Sequence, residues 1–251
     1  MNQNDDDSRP QHFGGSIEQT LAGGADLEIM PVIREAWQRI DGIKGILVGG
    51  LLLVYAAVVV VSVLLGGLFG VEEQSLIASS ISQLVIMMIV YPFVAGVFIL
   101  GLKRSVGLPV RFEDQFAFYR ELLPIVAVGA LQSLVTFIGF ALLILPGIYL
   151  TFALSLAVPL KAERNLPITD CLIVSLRLVN KKLFEVVVLS LAAMALAIVG
   201  VLSVIGWIWT IPWTLMMVSI IYRQLAGYTP DGAGTGGRDP SAGPPRGSIE
   251  V

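Results

Sequence analysis

The sequence predicts an all-α polytopic membrane protein with six transmembrane helices arranged as three hairpins, each preceded by an amphipathic helix at the inner membrane surface. Hydrophobic residues make up 55% of the 251 positions and charged residues only 14%. A water-soluble domain of this length has too little interior to bury so much apolar surface. Several apolar runs also reach the roughly 20 residues that a helix needs to cross the hydrocarbon core.

The first two spans are predicted from the apolar runs 46–70 and 76–102, which the short acidic segment 71–75 separates. Two later runs, 122–160 and 186–222, are longer. As straight helices they would each measure roughly 55–60 Å, about twice the thickness of the hydrocarbon core. Each of these runs is therefore predicted to fold back and to cross the membrane twice.

A turn is predicted at Pro146-Gly147, inside the first of the two long runs. Proline lacks the N–H that an intrahelical hydrogen bond needs, and glycine readily adopts the backbone angles of a turn. The turn divides the run into a span at 122–145 and a shorter one at 147–160, which is about 21 Å long as a helix.

The distribution of basic residues predicts which side of the membrane each connection occupies. With six spans, all sixteen Lys and Arg residues lie on one side: before the first span, in 103–121, in 161–185 and after the last span. The positive-inside rule makes that side the cytoplasm. We therefore predict a multi-pass membrane domain at 27–226, with disordered cytoplasmic tails at 1–26 and 227–251.

Amphipathic segments precede the first, third and fifth predicted spans. Residues 27–44 place apolar side chains at the i, i+3, i+4, i+7 spacing of one helix face. This segment is predicted to be an interfacial helix with Trp37 at headgroup depth. The recurrence favours a threefold plan, although connectors between membrane spans also tend to be amphipathic. The recurring faces are Phe112, Phe116, Tyr119 and Leu123 before the third span, and Ile168, Cys171, Leu172, Leu176 and Val179 before the fifth.

Asp, Glu, Lys, Arg and His are absent from the six predicted spans. Inside a membrane such groups are costly, and they mark proton relays, ion pumps and charge-coordinating sites. The one cysteine, Cys171, and the one histidine, His12, cannot supply a metal site or two axial haem ligands. Basic residues are not interleaved with aromatic ones in a nucleic-acid-binding stripe. We therefore expect no enzymatic activity, no cofactor, no metal and no nucleic-acid partner.

Uncharged polar side chains inside the spans have two interpretations. They line a shallow cavity, or they form interhelical hydrogen bonds worth about 0.6–2 kcal/mol each. The second interpretation is favoured, because a transporter with distorted helices is expected also to recruit a charged or coordinating side chain. The candidate cavity residues are Ser79, Ser82 and Gln83 of the second span and Gln132, Ser133 and Thr136 of the third.

Basic and aromatic side chains of the cytoplasmic segments are candidates for contact with anionic headgroups or with a protein partner. Ordinary topology-setting charge is the alternative explanation. The candidates are Arg34, Trp37, Arg39, Lys161, Arg164, Arg177, Lys181 and Lys182.

Several short motifs in the second half of the chain resemble a known family. They are Pro146-Gly147 at the hairpin turn, Pro159 before a charged break, Ser175-Leu176-Arg177-Leu178-Val179 on an amphipathic helix and IWTIPWTLMMVSIIYRQL near the end of the last span. Over about residues 27–226 the chain resembles the bacterial inner-membrane proteins similar to YciC and, more distantly, the membrane domain of some glycerophosphodiesterases. The resemblance implies a six-span protein of the bacterial inner membrane without an established activity.

The predicted function is that of a non-enzymatic scaffold or accessory protein that interacts with lipid headgroups, with a membrane protein partner or with a second copy of itself. The absence of intramembrane charge and the recurring amphipathic segments motivate this prediction. The alternative is a small channel or transporter for an uncharged or lipidic substrate, which the polar side chains of the second and third spans would serve.

Overall fold

The computed structural model describes residues 12–69, 76–202 and 206–230, and helices dominate them. The predicted loop at 71–75 lies outside the described residues. Apart from one isolated antiparallel bridge, the described regular structure is helical. The helices are α1 (Ile17–Leu21), α2 (Ile29–Arg39), α3 (Lys44–Phe69), α4 (Leu76–Ser105), a 3-10 helix (Phe112–Glu121), α5 (Leu122–Leu142), α6 (Ile144–Ala153), α7 (Ala157–Arg164), α8 (Ile168–Lys181), α9 (Leu183–Leu202) and α10 (Trp207–Ala226).

Five helical stretches among the described residues are long and apolar enough to cross a membrane. Helix α10 has 20 residues but is not one of them. Its mean hydropathy is low because threonines and a proline interrupt its first half and Arg223-Gln224 lies near its end. The five stretches are Lys44–Leu68, Ala78–Ser105, Phe112–Leu142, Ile144–Arg164 and Leu183–Gly200.

Helix α3 buries few of its side chains in the bundle. Its exposed positions are large and apolar, among them Leu53, Val60, Leu64 and Leu68. A soluble monomer rarely exposes so continuous an apolar surface to water, whereas the acyl chains of a bilayer cover it at no cost. The exposed face of α3 therefore indicates contact with lipid.

Helices α4 and α10 pack against each other in the centre of the bundle. Gly101 permits this close approach, because a Cβ atom there would overlap the hydroxyl of Ser219 on α10. Nearby, the rings of Phe98 and Tyr222 meet edge to face with their centroids 5.1 Å apart. Because α10 lies inside the bundle and exposes little surface to lipid, it tolerates polar residues that a lipid-facing helix would not.

The turn between α5 and α6 lies at Leu143, three residues before the predicted Pro146-Gly147 turn, so that prediction was wrong in position. Leu143 has extended backbone angles, and α6 begins at Ile144. Proline is compatible with the first helical turn, where its missing N–H would have no partner. Gly147 is instead a packing residue, since a Cβ atom there would overlap the Phe140 ring of α5.

The predicted span at 147–160 is two helices with a break between them. Helix α6 ends at Ala153 and α7 begins at Ala157. Ser175 of α8 compensates for the broken backbone, because its hydroxyl donates to the Ala153 carbonyl at 2.8 Å and accepts from the Leu156 N–H at 3.1 Å. The two helices together continue to Arg164, four residues beyond the predicted end.

Residues 112–121 form a 3-10 helix where an amphipathic α-helix was predicted before the third span. The segment packs along α4, and the rings of Phe93 and Phe116 lie 5.9 Å apart. Gln115 is inserted between two helices, because a Cβ atom at Gly50 or at Gly96 would overlap it. We attribute the tighter winding to this insertion, which the amphipathic pattern does not encode.

Helix α2 packs on protein rather than resting freely on a membrane surface. Its buried residues Val32 and Ala36, with Ile40 and Ile43 beyond its end, belong to the main hydrophobic core. The apolar face predicted for an interfacial helix therefore contacts the bundle, mainly α10. Trp37 is the exception, because it is 56% exposed.

The described part of the predicted N-terminal tail is ordered against the end of α10. Phe13 and Tyr228 form the antiparallel bridge, and the Thr20 hydroxyl donates to the Leu225 carbonyl at 2.6 Å. Gly15 N–H donates to the carbonyl of Arg223 at 3.1 Å. The bond to Leu225 satisfies a carbonyl in the last turn of α10, where intrahelical donors are missing. Residues 12–26 and 227–230 thus differ from the disordered tails predicted at 1–26 and 227–251.

Candidate functional site

A buried carboxylate lies where α7 meets α10. Glu163 is 4% exposed, and its Oε2 atom accepts a hydrogen bond from the Tyr222 hydroxyl at 2.8 Å. The same oxygen lies 2.9 Å from Nε of Arg164. The Arg164 guanidinium also donates to the carbonyl of Ala226, the last residue of α10. Because a buried charge is stable only with such partners, Glu163, Arg164 and Tyr222 tie α7 to α10.

A second group of ion pairs joins α2 to the C-terminal ends of α4 and α10. Nη2 of Arg223 lies 2.9 and 2.8 Å from the two carboxylate oxygens of Glu35, and Nε of Arg39 lies 2.8 Å from Glu35 Oε1. Arg223 also donates to the carbonyl of Ser105, the last residue of α4. Cations are favoured there, because helix C-termini carry unpaired carbonyls and partial negative charge. We call this meeting of helix ends, with Glu163 and Arg164, the charged end.

Four of the eight predicted headgroup or partner contacts bond within the chain. Arg39 and Arg164 belong to the two clusters described above. Lys161 is buried and donates to the Leu166 carbonyl at 2.9 Å. Lys182 lies 3.7 Å from a glutamate of α9. These four cations are therefore used for internal neutralisation and helix capping.

The other four predicted contacts are exposed. Arg34 and Trp37 are one turn apart on α2, and Arg177 and Lys181 are one turn apart on α8. These side chains leave two cationic positions on the surface, one of them with an aromatic neighbour.

A shallow, open recess of about 350 Å³ lies between α5 and α6. It brings together three of the six predicted cavity residues. The others, Ser79, Ser82 and Gln83, lie on α4 and do not line it. We call it the α5–α6 recess; its lining residues are Gln132, Ser133, Thr136, Phe137 and Phe140 of α5 and Thr151 of α6.

Tyr91 of α4 bonds with the polar residues of α5. Its hydroxyl donates to the Gly129 carbonyl at 3.1 Å and lies 2.7 Å from Oγ of Ser133. Ser133 thus takes part in an interhelical hydrogen bond, as the favoured interpretation predicts. Gln132 differs, because its Oε1 atom is buried and accepts no hydrogen bond from the described residues.

Pro92 lies inside α4, and a side chain of the 3-10 helix bonds to a carbonyl one turn before it. A proline inside a helix removes one bond and weakens its neighbours. The hydroxyl of Tyr119 donates to the carbonyl of Ile89, one turn before Pro92, at 2.6 Å. A side chain of the 3-10 helix therefore supplies a hydrogen-bond donor to this carbonyl.

Cys171 lies on the buried face of α8. Burial raises the pKa of its thiol to about 11, so the thiol is protonated at neutral pH. Its Sγ lies 3.6 Å from the Leu166 carbonyl. In the part of the chain that the structure describes, no three His, Cys, Asp or Glu side chains are grouped as metal ligands.

Sequence reasoning missed the two clusters of the charged end. Glu163 lies in a charged segment whose composition predicts a loop. However, Leu156, Leu160 and Glu163 follow the i, i+4, i+7 spacing of one helix face, and all three are buried. That spacing was an available signal. The pair Glu35 and Arg223 had none, since 188 residues separate the two side chains.

The five long apolar helices among the described residues indicate a polytopic helical membrane protein. Comparison of the chain with protein-family models, with curated proteins and with solved structures finds no match. The resemblance to inner-membrane proteins similar to YciC therefore stays a prediction that rests on the motifs alone.

Proposed function

We propose that the protein is a non-enzymatic scaffold or accessory protein of the bacterial inner membrane, with six spans in three hairpins and both termini in the cytoplasm. Its charged end faces the cytoplasm and contacts anionic lipid headgroups or a membrane protein partner. The observation that carries this proposal is the division of the basic side chains: one set ties helix ends together, whereas Arg34, Arg177 and Lys181 are exposed.

Contacts at the charged end support an even number of crossings. Phe13 and Tyr228 exchange two backbone hydrogen bonds of 2.9 and 2.8 Å, so both residues lie on the same side of a membrane. A chain that leaves one side and returns to it crosses an even number of times. Five stretches qualify as spans by length and hydropathy, and α10 as the sixth makes the number even.

The same reasoning supports three hairpins. The chain leaves the charged end at Asp41 and returns at Arg104, whose Nη2 donates to the Asp41 carbonyl at 2.6 Å. It leaves again after Arg164 and returns at Ala226, which Arg164 contacts. Helix α8 is too short to cross between these points, which leaves α9 and α10 for the third hairpin. Their contacts add no support to this assignment, because the Trp209 ring in the first turn of α10 lies 5.6 Å from Nζ of Lys44, which pairs with Asp41. Helices α5 to α7 form the remaining one.

The exposed cations have the setting expected of lipid-headgroup contacts. Trp37 favours the boundary between headgroups and acyl chains, and Arg34 lies one turn away on the same helix. Arg177 and Lys181 form the second cationic position, on α8. A cation near an anionic surface contributes about 1 kcal/mol to the attraction.

Removing the exposed charges should weaken the retention of anionic lipid. For the triple variant Arg34→Gln, Arg177→Gln, Lys181→Gln, we expect retained phosphatidylglycerol to fall about a hundredfold relative to wild type, because three contributions of about 1 kcal/mol are lost. Native mass spectrometry of protein released from mixed phosphatidylglycerol and phosphatidylethanolamine nanodiscs measures the retained lipid and the number of subunits.

The matched control keeps the charges, as Arg34→Lys, Arg177→Lys, Lys181→Arg, and should retain phosphatidylglycerol as wild type does. Equal retention by the charge-removing variant would contradict the headgroup contacts, and a protein retained in place of lipid would identify a partner. Specific solute flux through the reconstituted protein would contradict the scaffold proposal itself and favour the channel or transporter alternative.

A further inference from the structure

We propose that the α5–α6 recess binds the hydroxyl end of a neutral lipid of the diacylglycerol type, taken from the surrounding bilayer. This binding site is separate from the charged end and goes beyond the proposed scaffold function. Three features of the recess carry the inference: its unfilled hydrogen-bonding capacity, its lack of charge and its apolar surroundings.

Two oxygen atoms in the recess can each accept a further hydrogen bond. Oε1 of Gln132 is buried and accepts no hydrogen bond within the described residues. The Thr151 hydroxyl donates to the Gly147 carbonyl at 2.9 Å, which leaves its oxygen free to accept. A buried amide oxygen without a partner is costly, and the hydrocarbon region holds no water to satisfy it. A ligand hydroxyl supplies the missing donor.

The lining of the recess contains no ionisable side chain. Gln132 and Thr136 lie in the middle of α5, where a phosphate group would need a cation that the lining does not offer. A neutral headgroup carries no such requirement. The recess therefore selects against phospholipids and in favour of lipids whose polar part is an uncharged alcohol.

The surroundings of the recess are apolar and exposed. Phe137 and Phe140 of its lining and Ile148, one turn before Thr151 on α6, are all large hydrophobic residues at the surface. Acyl chains that extend from a hydroxyl in the recess would lie along these side chains. The volume of about 350 Å³ falls in the lower part of the range for small-molecule sites and suits a glycerol-sized group.

A photoreactive diacylglycerol tests this proposal in nanodiscs that contain the full chain. We expect crosslinks to map to α5 or α6, and Gln132→Leu to lower their yield about tenfold because one hydrogen bond in an apolar site is lost. Gln83→Leu is the matched control, since Gln83 is exposed on α4 and does not line the recess. Its yield should equal that of wild type.

Competition identifies the lipid class: unlabelled diacylglycerol should abolish the crosslinks, and phosphatidic acid with the same chains should not. Equal yields from the two glutamine variants, uniform labelling of all helices, or equal competition by phosphatidic acid would each overturn the proposal. If Gln132→Leu does not fold, Thr151→Val decides, because it removes the second acceptor of the recess at nearly constant shape. An unchanged crosslink yield in that variant would likewise overturn the binding site.

Discussion

Gly96→Ala is expected to lower the free energy of unfolding by about 3 kcal/mol, because the new methyl group has no space. The Cβ atom would overlap the backbone carbonyl of Gln115 and lie 2.8 Å from the Gln115 Cα atom. A side chain could rotate away from such a contact, but these are backbone atoms of the 3-10 helix. Either α4 or the 3-10 helix must therefore move, and unfolding in mixed detergent micelles measures the cost.

Gly66→Ala is the matched control for this prediction. Apart from its chain neighbours and the backbone of its own helix, no described atom lies within 4 Å of a Cβ built at Gly66, and alanine is favoured over glycine in helices by about 1 kcal/mol. This variant should be as stable as wild type or slightly more so. Equal stability of the Gly96 and Gly66 variants would show that the 3-10 helix does not pack against α4 as described.

Glu163→Ala is expected to destabilise the protein by about 2–3 kcal/mol. Breaking a buried ion pair costs about 3–5 kcal/mol, but the Arg164 side chain is 30% exposed and water stabilises part of its charge. The loss also removes the acceptor of the Tyr222 hydroxyl. Unfolding measurements on the single variant, on Tyr222→Phe and on the double variant give the coupling energy between the two side chains.

Glu113→Ala controls for the loss of a carboxylate, because Glu113 is exposed on the 3-10 helix. It should change stability by less than about 0.5 kcal/mol. Additive effects of Glu163→Ala and Tyr222→Phe would contradict the bond between α7 and α10. So would a Glu163 variant as stable as the Glu113 variant.

The long apolar helices were predictable because lipid imposes a simple requirement on composition and length. Helix α3 begins two residues before the apolar run at 46–70, and α4 begins where the second run does. Helix α5 occupies most of the predicted span at 122–145. In each case the sequence carries the whole signal, since no distant residue is needed to make the segment apolar.

The structural details that were predicted wrongly depend on residues that are distant in the sequence. The break between α6 and α7 is stabilised by Ser175, which lies on another helix. The 3-10 helix depends on Gly50 and Gly96, which make room for Gln115. A periodic pattern describes one segment at a time and cannot contain these pairings.

The site predictions divide in the same way. Gln132, Ser133 and Thr136 lie within one helical turn, so their common position in the α5–α6 recess follows from spacing alone. The prediction that Ser79, Ser82 and Gln83 of α4 share this cavity required α4 to turn these side chains toward α5. The sequence does not specify how one helix is rotated about its axis relative to another. For the basic residues, spacing predicted exposure on α2 and α8 but not the use of Arg39 and Lys161 to cap carbonyls elsewhere in the chain.

Six crossings with the charged end in the cytoplasm are tested most directly by single-cysteine accessibility in a Cys171→Ser background. New cysteines at Gln74 and Ser203 should react with a membrane-impermeant maleimide in intact bacterial spheroplasts. Cysteines at Glu113 and Asp170, both exposed at their helices, should react only after permeabilisation. Protection of the Ser203 position in intact spheroplasts, with labelling after permeabilisation, would show that α9 does not cross the membrane and would contradict the six crossings.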